Sequence, residues 1–243
     1  MDIPDADEHG AIVTRDGSHT LFNERYGQTL HSAHGAVTES RWVFLGGSGV
    51  AERLSARKST QVLEVGFGTG LNFLVTADLA CSHGAVVTYT ALEQAFPALP
   101  AISALKHGDQ LTHPDLAFAL EEAIRGVSTA GPSVATQLKL EVCGASLEVR
   151  IGDATSATLD TGRYDAIYHD GFSPDANPEL WTEPFLAQLV DALAPGGALV
   201  TYTVKGTVRR ALERSGLDVE KRPGPPGGKK QMLWARSAVM PMG

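Results

Sequence analysis

The residues best placed to do chemistry are acids that follow short apolar runs. Asp170 closes one such run, RYDAIYHDGF (163–172), and opens the segment DGFSPDANPELW (170–181). A carboxylate beyond the end of a buried strand can hold an amine, take up its proton, or face a cationic group electrostatically. The prolines at 174 and 178 restrict the loop that follows. Phe172 and Trp181 offer rings for a base or for anchoring that loop. The second signal is LEVGFGTGLNF (63–73), a strand, a turn with Gly66, Gly68 and Gly70, and the start of a helix. Glycine permits such a turn and lets backbone N–H groups approach a ligand at a helix N-terminus. Glu64, Phe67 and Asn72 flank those glycines and join them as candidate ligand contacts.

The same turn physics serves the pyrophosphate of NAD or FAD, whose fingerprint G-x-G-x-x-G requires glycine at 71. Leu71 stands there instead, and the spacing is G-x-G-x-G. That favours a nucleoside ligand without phosphate, S-adenosylmethionine, over a dinucleotide. Glu93 ends AVVTYTALE (85–93), where a carboxylate can accept both ribose hydroxyls. Asp153, in Gly152-Asp153-Ala154, can meet an adenine amino group and also reads as a helix N-cap. Glu93, Asp153 and Asp170 at successive strand ends form a stronger pattern than any one of them. Methyl transfer requires in-line approach of a nucleophile, so positioning carries much of the rate. Asp170 is the candidate catalytic residue and also a cofactor contact. His31 and His34 lack a third ligand, and no metal is expected.

These residues need a scaffold of strands alternating with helices, which argues for a mostly parallel sheet covered on both faces. Strands are expected at 61–65, 85–93, 145–151, 163–172 and 198–203, with helices at 71–80, 97–107, 114–125, 180–193 and 206–215. LDVEKR (217–222), PGPPGG and KKQMLWAR (229–236) read as an antiparallel pair at one edge. The expected fold is α/β, a Rossmann-like, seven-stranded, mostly parallel sheet with an antiparallel C-terminal edge strand. Residues 1–57 read as an N-terminal extension or flap, beginning with a frayed leader over 1–10. Residues 58–243 read as the main domain, with a helical and extended insertion at about 108–144 and a linker at 126–133.

At 243 residues the chain is long enough for one such domain with decorations, and 43% hydrophobic residues suit a globular core. No apolar run of about eighteen residues predicts a membrane span, and the acidic start MDIPDADEHG is unlike a signal peptide. Cys81 and Cys143 are read as buried thiols in a reducing cytoplasm, with one disulfide as the alternative. The formal charge is -8, but residues 201–243 carry nine basic and three acidic residues. This leaves room for a basic patch on an acidic protein. Lys205, Arg209 and Arg210, with Lys229 and Lys230, are its candidate phosphate contacts.

Taken in order, these motifs resemble the methyltransferase family of the bacterial tRNA wobble-uridine pathway: the N-terminal methyltransferase domain of MnmC and its stand-alone MnmD-like relatives. The resemblance starts near Phe22. It runs through HSAHGAVTESRWVFL (31–45), LEVGFGTGLNF, Glu93, GDA, DGFSPDANPELW, LAPGGALVTYT (193–203), VRRALERSGLDV (208–219) and the PGPPGGKKQMLWA tail. It implies the class I S-adenosylmethionine-dependent methyltransferase fold and methylation of the exocyclic amine of 5-aminomethyl-2-thiouridine to 5-methylaminomethyl-2-thiouridine. Gly66, Gly68, Gly70, Glu93 and Asp153 would surround the cofactor, with Asp170 beside the amine. Tyr26 and Glu39-Ser40-Arg41 would help close the site. It also implies a cytoplasmic enzyme acting on the tRNA anticodon stem-loop, with upstream modification enzymes supplying the aminomethyl group and no FAD-dependent oxidase in this chain. The competing readings are methylation of a small-molecule amine, a non-enzymatic adenosylmethionine-binding scaffold, and a dinucleotide oxidoreductase.

Overall fold

The computed structural model describes residues 6–130 and 137–237. Strands β1 (Ala11–Val13), β2 (His19–Asn23) and β3 (Gln28–Thr29) form a small antiparallel sheet at the N-terminus. A short helix α1 (Ala36–Glu39) runs directly into a π-helical stretch, Ser40–Gly46, and then α2 (Val50–Ser55). The larger unit follows as β4 (Thr60–Val65), α3 (Leu71–His83), β5 (Val87–Glu93), α4 (Leu99–Ala104), α5 (Asp115–Ala130), β6 (Gln137–Val142) and β7 (Ala145–Ile151). It ends with β8 (Tyr164–His169), α6 (Glu183–Ala192), β9 (Leu193–Thr201), α7 (Gly206–Arg214), β10 (Asp218–Pro223) and β11 (Gln231–Arg236).

Among the described residues the large sheet has eight strands in the order β10-β11-β9-β8-β4-β5-β7-β6. The pairs β4–β5, β4–β8, β5–β7 and β8–β9 are parallel. β11 pairs antiparallel with both β9 and β10, which is the C-terminal pair expected from the Pro/Gly loop. The eighth strand is β6, expected only as an extended piece of an insertion. It folds back on β7 as a hairpin because Cys143 and Gly144 both take positive φ, 46° and 77°, the geometry of a tight hairpin turn. The end of α3 and this turn bring Cys81 and Cys143 to a Cα–Cα distance of 5.4 Å, and they form a disulfide. Bridging at that spacing is favourable, which corrects the reading of two free thiols. α5 continues to Ala130 through part of the expected linker; the rest of that segment, and residues 1–5 of the leader, lie outside the described residues.

Alternation along the central strands divides the interior in two. Val62 faces one apolar cluster with Phe44, Leu71, Phe73, Tyr89 and Tyr168. Leu63 and Val65 face the other, filled by Leu186, Leu189, Val208 and Leu212 of α6 and α7. Ala36, Val37, Phe44, Val50 and Leu54 belong to the first cluster, so the chain from α1 to α2 is part of the main core. The first three strands have a small cluster of their own, where Ala11 and Leu21 meet Leu105 beside α4. Among the described residues no helix is long and apolar enough to cross a membrane.

Candidate active site

The parallel strands end level with one another, and backbone hydrogen bonds lock the loops that leave them. Gly66 N–H donates to Leu92 O at 3.0 Å, Asp170 N–H to Val65 O at 2.9 Å, and Gly152 N–H to Glu93 O at 2.8 Å. A cleft of about 1080 Å³ opens above this edge, where open α/β sheets bind their ligands. Gly66, Phe67, Gly68, Glu93, Asp153, Asp170 and Phe172 all line it, so the structure brings together the acids and most of the glycine loop.

The turn requires its glycines. Gly66 has a φ of 88°, and a Cβ there would lie 2.7 Å from the Asp170 carbonyl oxygen. That close approach seats the loop after β8 (170–181), the candidate acceptor loop, directly against the glycine turn. Gly68 also has positive φ, yet a Cβ would meet nothing within 4 Å; its open side is cleft. Gly70 has another purpose. It caps α3 with a φ of 83°, and a Cβ would strike Leu120 and Phe67, so it serves packing rather than the cleft wall.

Glu93 lines the cleft and ties down the glycine turn from the neighbouring strand. Its Oε2 accepts from Gly68 N–H at 2.8 Å and its Oε1 from Ala95 N–H at 3.0 Å. Burial raises its pKa despite these bonds. Each oxygen keeps acceptor capacity for a ligand hydroxyl. Asp153 accepts from Thr155 N–H at 2.9 Å and from the Thr155 hydroxyl at 2.8 Å, the expected N-cap. These bonds hold its pKa below the usual carboxylate range. An open glycine, a half-buried acid with spare acceptor sites and a second acid one strand further on fit an adenosyl group.

Glu64 does not reach this surface. It is fully buried, sharing a strand face with Val62, and lies behind Asn72. The Asn72 amide donates to Glu64 Oε1 at 2.7 Å and to Asp170 Oδ2 at 2.8 Å. Ser40 donates its hydroxyl to Asn72 Oδ1 at 2.6 Å, and Tyr89 donates to Glu64 Oε2 at 3.0 Å. Burial pushes the Glu64 carboxyl up to about 8, against those stabilising bonds. Asp170 is raised well above the ordinary carboxylate value by burial, then by Glu39 and Glu64, while Asn72 and Lys229 oppose the rise. Glu64 and Asn72 therefore position Asp170 from behind and do not line the cleft.

The aromatic candidates separate. Tyr26, between β2 and β3, stacks on Phe172 with ring centroids 4.3 Å apart, and both line the cleft. Its hydroxyl donates to Gln94 at 3.2 Å, and Gln28 donates to the Ser173 hydroxyl at 2.7 Å. The small N-terminal sheet thus bridges the Glu93 loop and the acceptor loop. Trp181 is turned inward, stacked on His169 at 3.9 Å and donating to Phe172 O at 2.8 Å. It anchors the loop.

Of the five basic candidates, Lys205, Arg209, Arg210 and Lys230 do not line the cleft. Lys205 pairs with Asp175, and Arg209 pairs with Glu213 at 2.6 Å. Arg210 is exposed on α7 and does not line the cleft. Lys229, expected as a phosphate contact, and Glu39, placed by the resemblance in the element that closes the site, both line it.

Fold and site together define a class I methyltransferase. Residues 117–238 match the model of the S-adenosyl-L-methionine-dependent methyltransferase family, and the chain belongs to that family. It is 36% identical over 233 residues to the tRNA 5-methylaminomethyl-2-thiouridine biosynthesis bifunctional protein MnmC of Aromatoleum aromaticum, covering 92% of this chain and 34% of that protein. The Cupriavidus metallidurans protein of the same name is 33% identical over 239 residues, covering 93% and 34%. The chain spans about a third of the length of these curated relatives. The crystal structure of MnmC2 from Aquifex aeolicus superimposes with a TM-score of 0.76 at 28% identity, covering all of this chain and 74% of that one. The resemblance read from the motifs is thus borne out. Spermidine synthase from Thermotoga maritima, with a TM-score of 0.50 and 15% identity over 93% of this chain and 70% of that one, shares the fold alone.

Proposed function

We propose that this methyltransferase acts on the aminomethyl nitrogen of 5-aminomethyl-2-thiouridine at the tRNA wobble position, giving 5-methylaminomethyl-2-thiouridine. The observation that carries the reading is Asp170. A positioned acid at the cleft surface, seated against the Gly66 turn and flanked by Glu39, suits an amine acceptor. The names of the MnmC relatives, proteins of tRNA 5-methylaminomethyl-2-thiouridine biosynthesis matched over more than nine-tenths of this chain, support the same acceptor.

In this reading Gly66, Phe67, Gly68, Glu93 and Asp153 hold S-adenosyl-L-methionine, which when bound supplies an electrophilic methyl group on a sulfonium. Asn72 and Glu64 orient Asp170. Asp170 holds the acceptor amine and receives its proton. The Tyr26–Phe172 pair shapes the entrance for the uracil ring and excludes water when a base is seated. Upstream modification enzymes supply the aminomethyl group, and a tRNA acceptor places the protein in the cytoplasm.

Methylation of a small amine is the second reading, favoured by the formal charge of -8 and by the acidic partners of Lys205 and Arg209. The test compares transfer of labelled methyl to tRNA bearing the aminomethyl wobble base, to unmodified tRNA, and to free amines. Incorporation into the first alone supports the proposal. Incorporation only into free amines overturns it.

A further inference from the structure

Asn177 lines the cleft and is 6% exposed, yet its side chain has no hydrogen-bond partner among the described residues. A buried carboxamide without partners is costly, and native structures rarely keep one without a use. Asn72, the other buried carboxamide of the site, is engaged by Ser40, Glu64 and Asp170. The Asn177 amide is also not sealed in the core, as the unpartnered Gln61 Oε1 and Tyr164 hydroxyl are. Its remaining open surface belongs to the cleft.

The backbone fixes where this side chain starts. Asn177 N–H donates to Ser173 O at 2.9 Å, and its carbonyl accepts from Leu180 N–H at 3.3 Å. Pro178 follows and restricts its backbone. That proline opens a single turn, Pro178–Trp181, which lies against the turn Ala154–Ser156 that Asp153 caps. Leu180 and Ala154 pack on the same apolar cluster. Asn177 and Asp153 thus border one end of the cleft from the loops of two different strands.

We infer that Asn177 reads the adenine of the cofactor: its Oδ1 accepts from the exocyclic amino group and its Nδ2 donates to the ring nitrogen beside it. The inference goes beyond the acceptor assignment and rests only on the placement of the adenosyl group between Glu93 and Asp153. Adenine presents an N–H donor and a ring acceptor side by side, and a planar carboxamide carries the complementary pair. The amino group has two hydrogens directed to opposite sides. Asp153 accepts one, and Asn177 takes the other together with the adjacent nitrogen. The amide that the protein leaves unpaired is then satisfied by the ligand.

The test is calorimetric binding to the full chain and needs no acceptor. The ligands are S-adenosyl-L-homocysteine and its 6-deamino analogue, in which hydrogen replaces the amino group. Asn177→Ala should weaken S-adenosyl-L-homocysteine about tenfold, the worth of a two-bond contact to adenine. The deamino analogue should lose no more than about threefold, the worth of the one bond left. Without ligand the variant should keep the wild-type melting temperature, since it breaks no hydrogen bond within the protein. Asn177→Asp keeps the shape and the accepting oxygen, and should retain the preference for the amino group that Asn177→Ala loses. A loss shared equally by both ligands, or no loss for either, overturns the inference. Asp153→Ala, measured alongside, tests the placement it rests on. A preference for the amino group that falls in Asp153→Ala and not in Asn177→Ala sinks the inference alone. One that neither substitution moves sinks the placement as well.

Discussion

Asp170→Asn is the substitution that separates the chemical role of this residue from its structural one. The side chain keeps its shape, and its amide oxygen can accept the same Asn72 hydrogen bond that Oδ2 accepts at 2.8 Å. What disappears is the negative charge and the capacity to take a proton. General-base assistance by a positioned group is worth about 10²–10⁴ in rate, or about 3–5 kcal/mol in the barrier. Stability should move the other way. The folded-state pKa of Asp170 lies above its unfolded value, so the stability linked to it is complete at low pH and lost as pH rises toward the folded pKa. Removing the ionisable group ends that loss, and Asp170→Asn should melt no lower than wild type near pH 8. Single-turnover methyl transfer, S-adenosyl-L-methionine affinity by calorimetry and a melting curve form the assay. A rate loss below about tenfold, or a parallel loss of cofactor affinity, would refute the reasoning.

Glu64→Gln retains acceptor and donor groups for Asn72 and Tyr89. Because burial raises Glu64 from 4.5 to about 8, wild-type stability should fall across that pH interval, and the substitution should flatten the fall in a pH series of chemical denaturation. Gly66→Ala should lower the melting temperature more than Gly68→Ala, since only the first drives a Cβ against the Asp170 carbonyl; equal shifts would contradict the packing described. Reducing the Cys81–Cys143 bridge, which closes a separation of 62 residues, should cost up to about 4 kcal/mol by chain entropy. The melting temperature should then drop by about 10 °C, and two free thiols counted in native, unreduced protein would show that the bridge does not form.

Much of this was legible from residue types and order. Glycines followed by a helix located the turn, and acids at strand ends located Glu93, Asp153 and Asp170, because strand direction fixes which edge such residues occupy. Depth was not legible. Glu64 precedes the turn by only two residues, yet strand alternation sends it into the core beneath Asn72. Trp181 lies within the acceptor segment, but His169 and the Phe172 carbonyl draw it inward. Lys205 and Arg209 counted as free charge in the sequence and are partnered in space by Asp175 and Glu213. Lys229 and Glu39 lie far apart along the chain, and only the fold brings them to one pocket. The β6 strand depended on a two-residue turn with positive φ at Cys143, a non-glycine residue that gives little warning of it.

The most direct test of the central claim is the identity of the methylated nucleoside. tRNA bearing 5-aminomethyl-2-thiouridine, incubated with the protein and S-adenosyl-L-methionine, is digested and analysed by mass spectrometry. The account predicts conversion of that nucleoside to 5-methylaminomethyl-2-thiouridine, abolished in Asp170→Asn. A methyl group found on any other nucleoside, or unchanged conversion by Asp170→Asn, would contradict it.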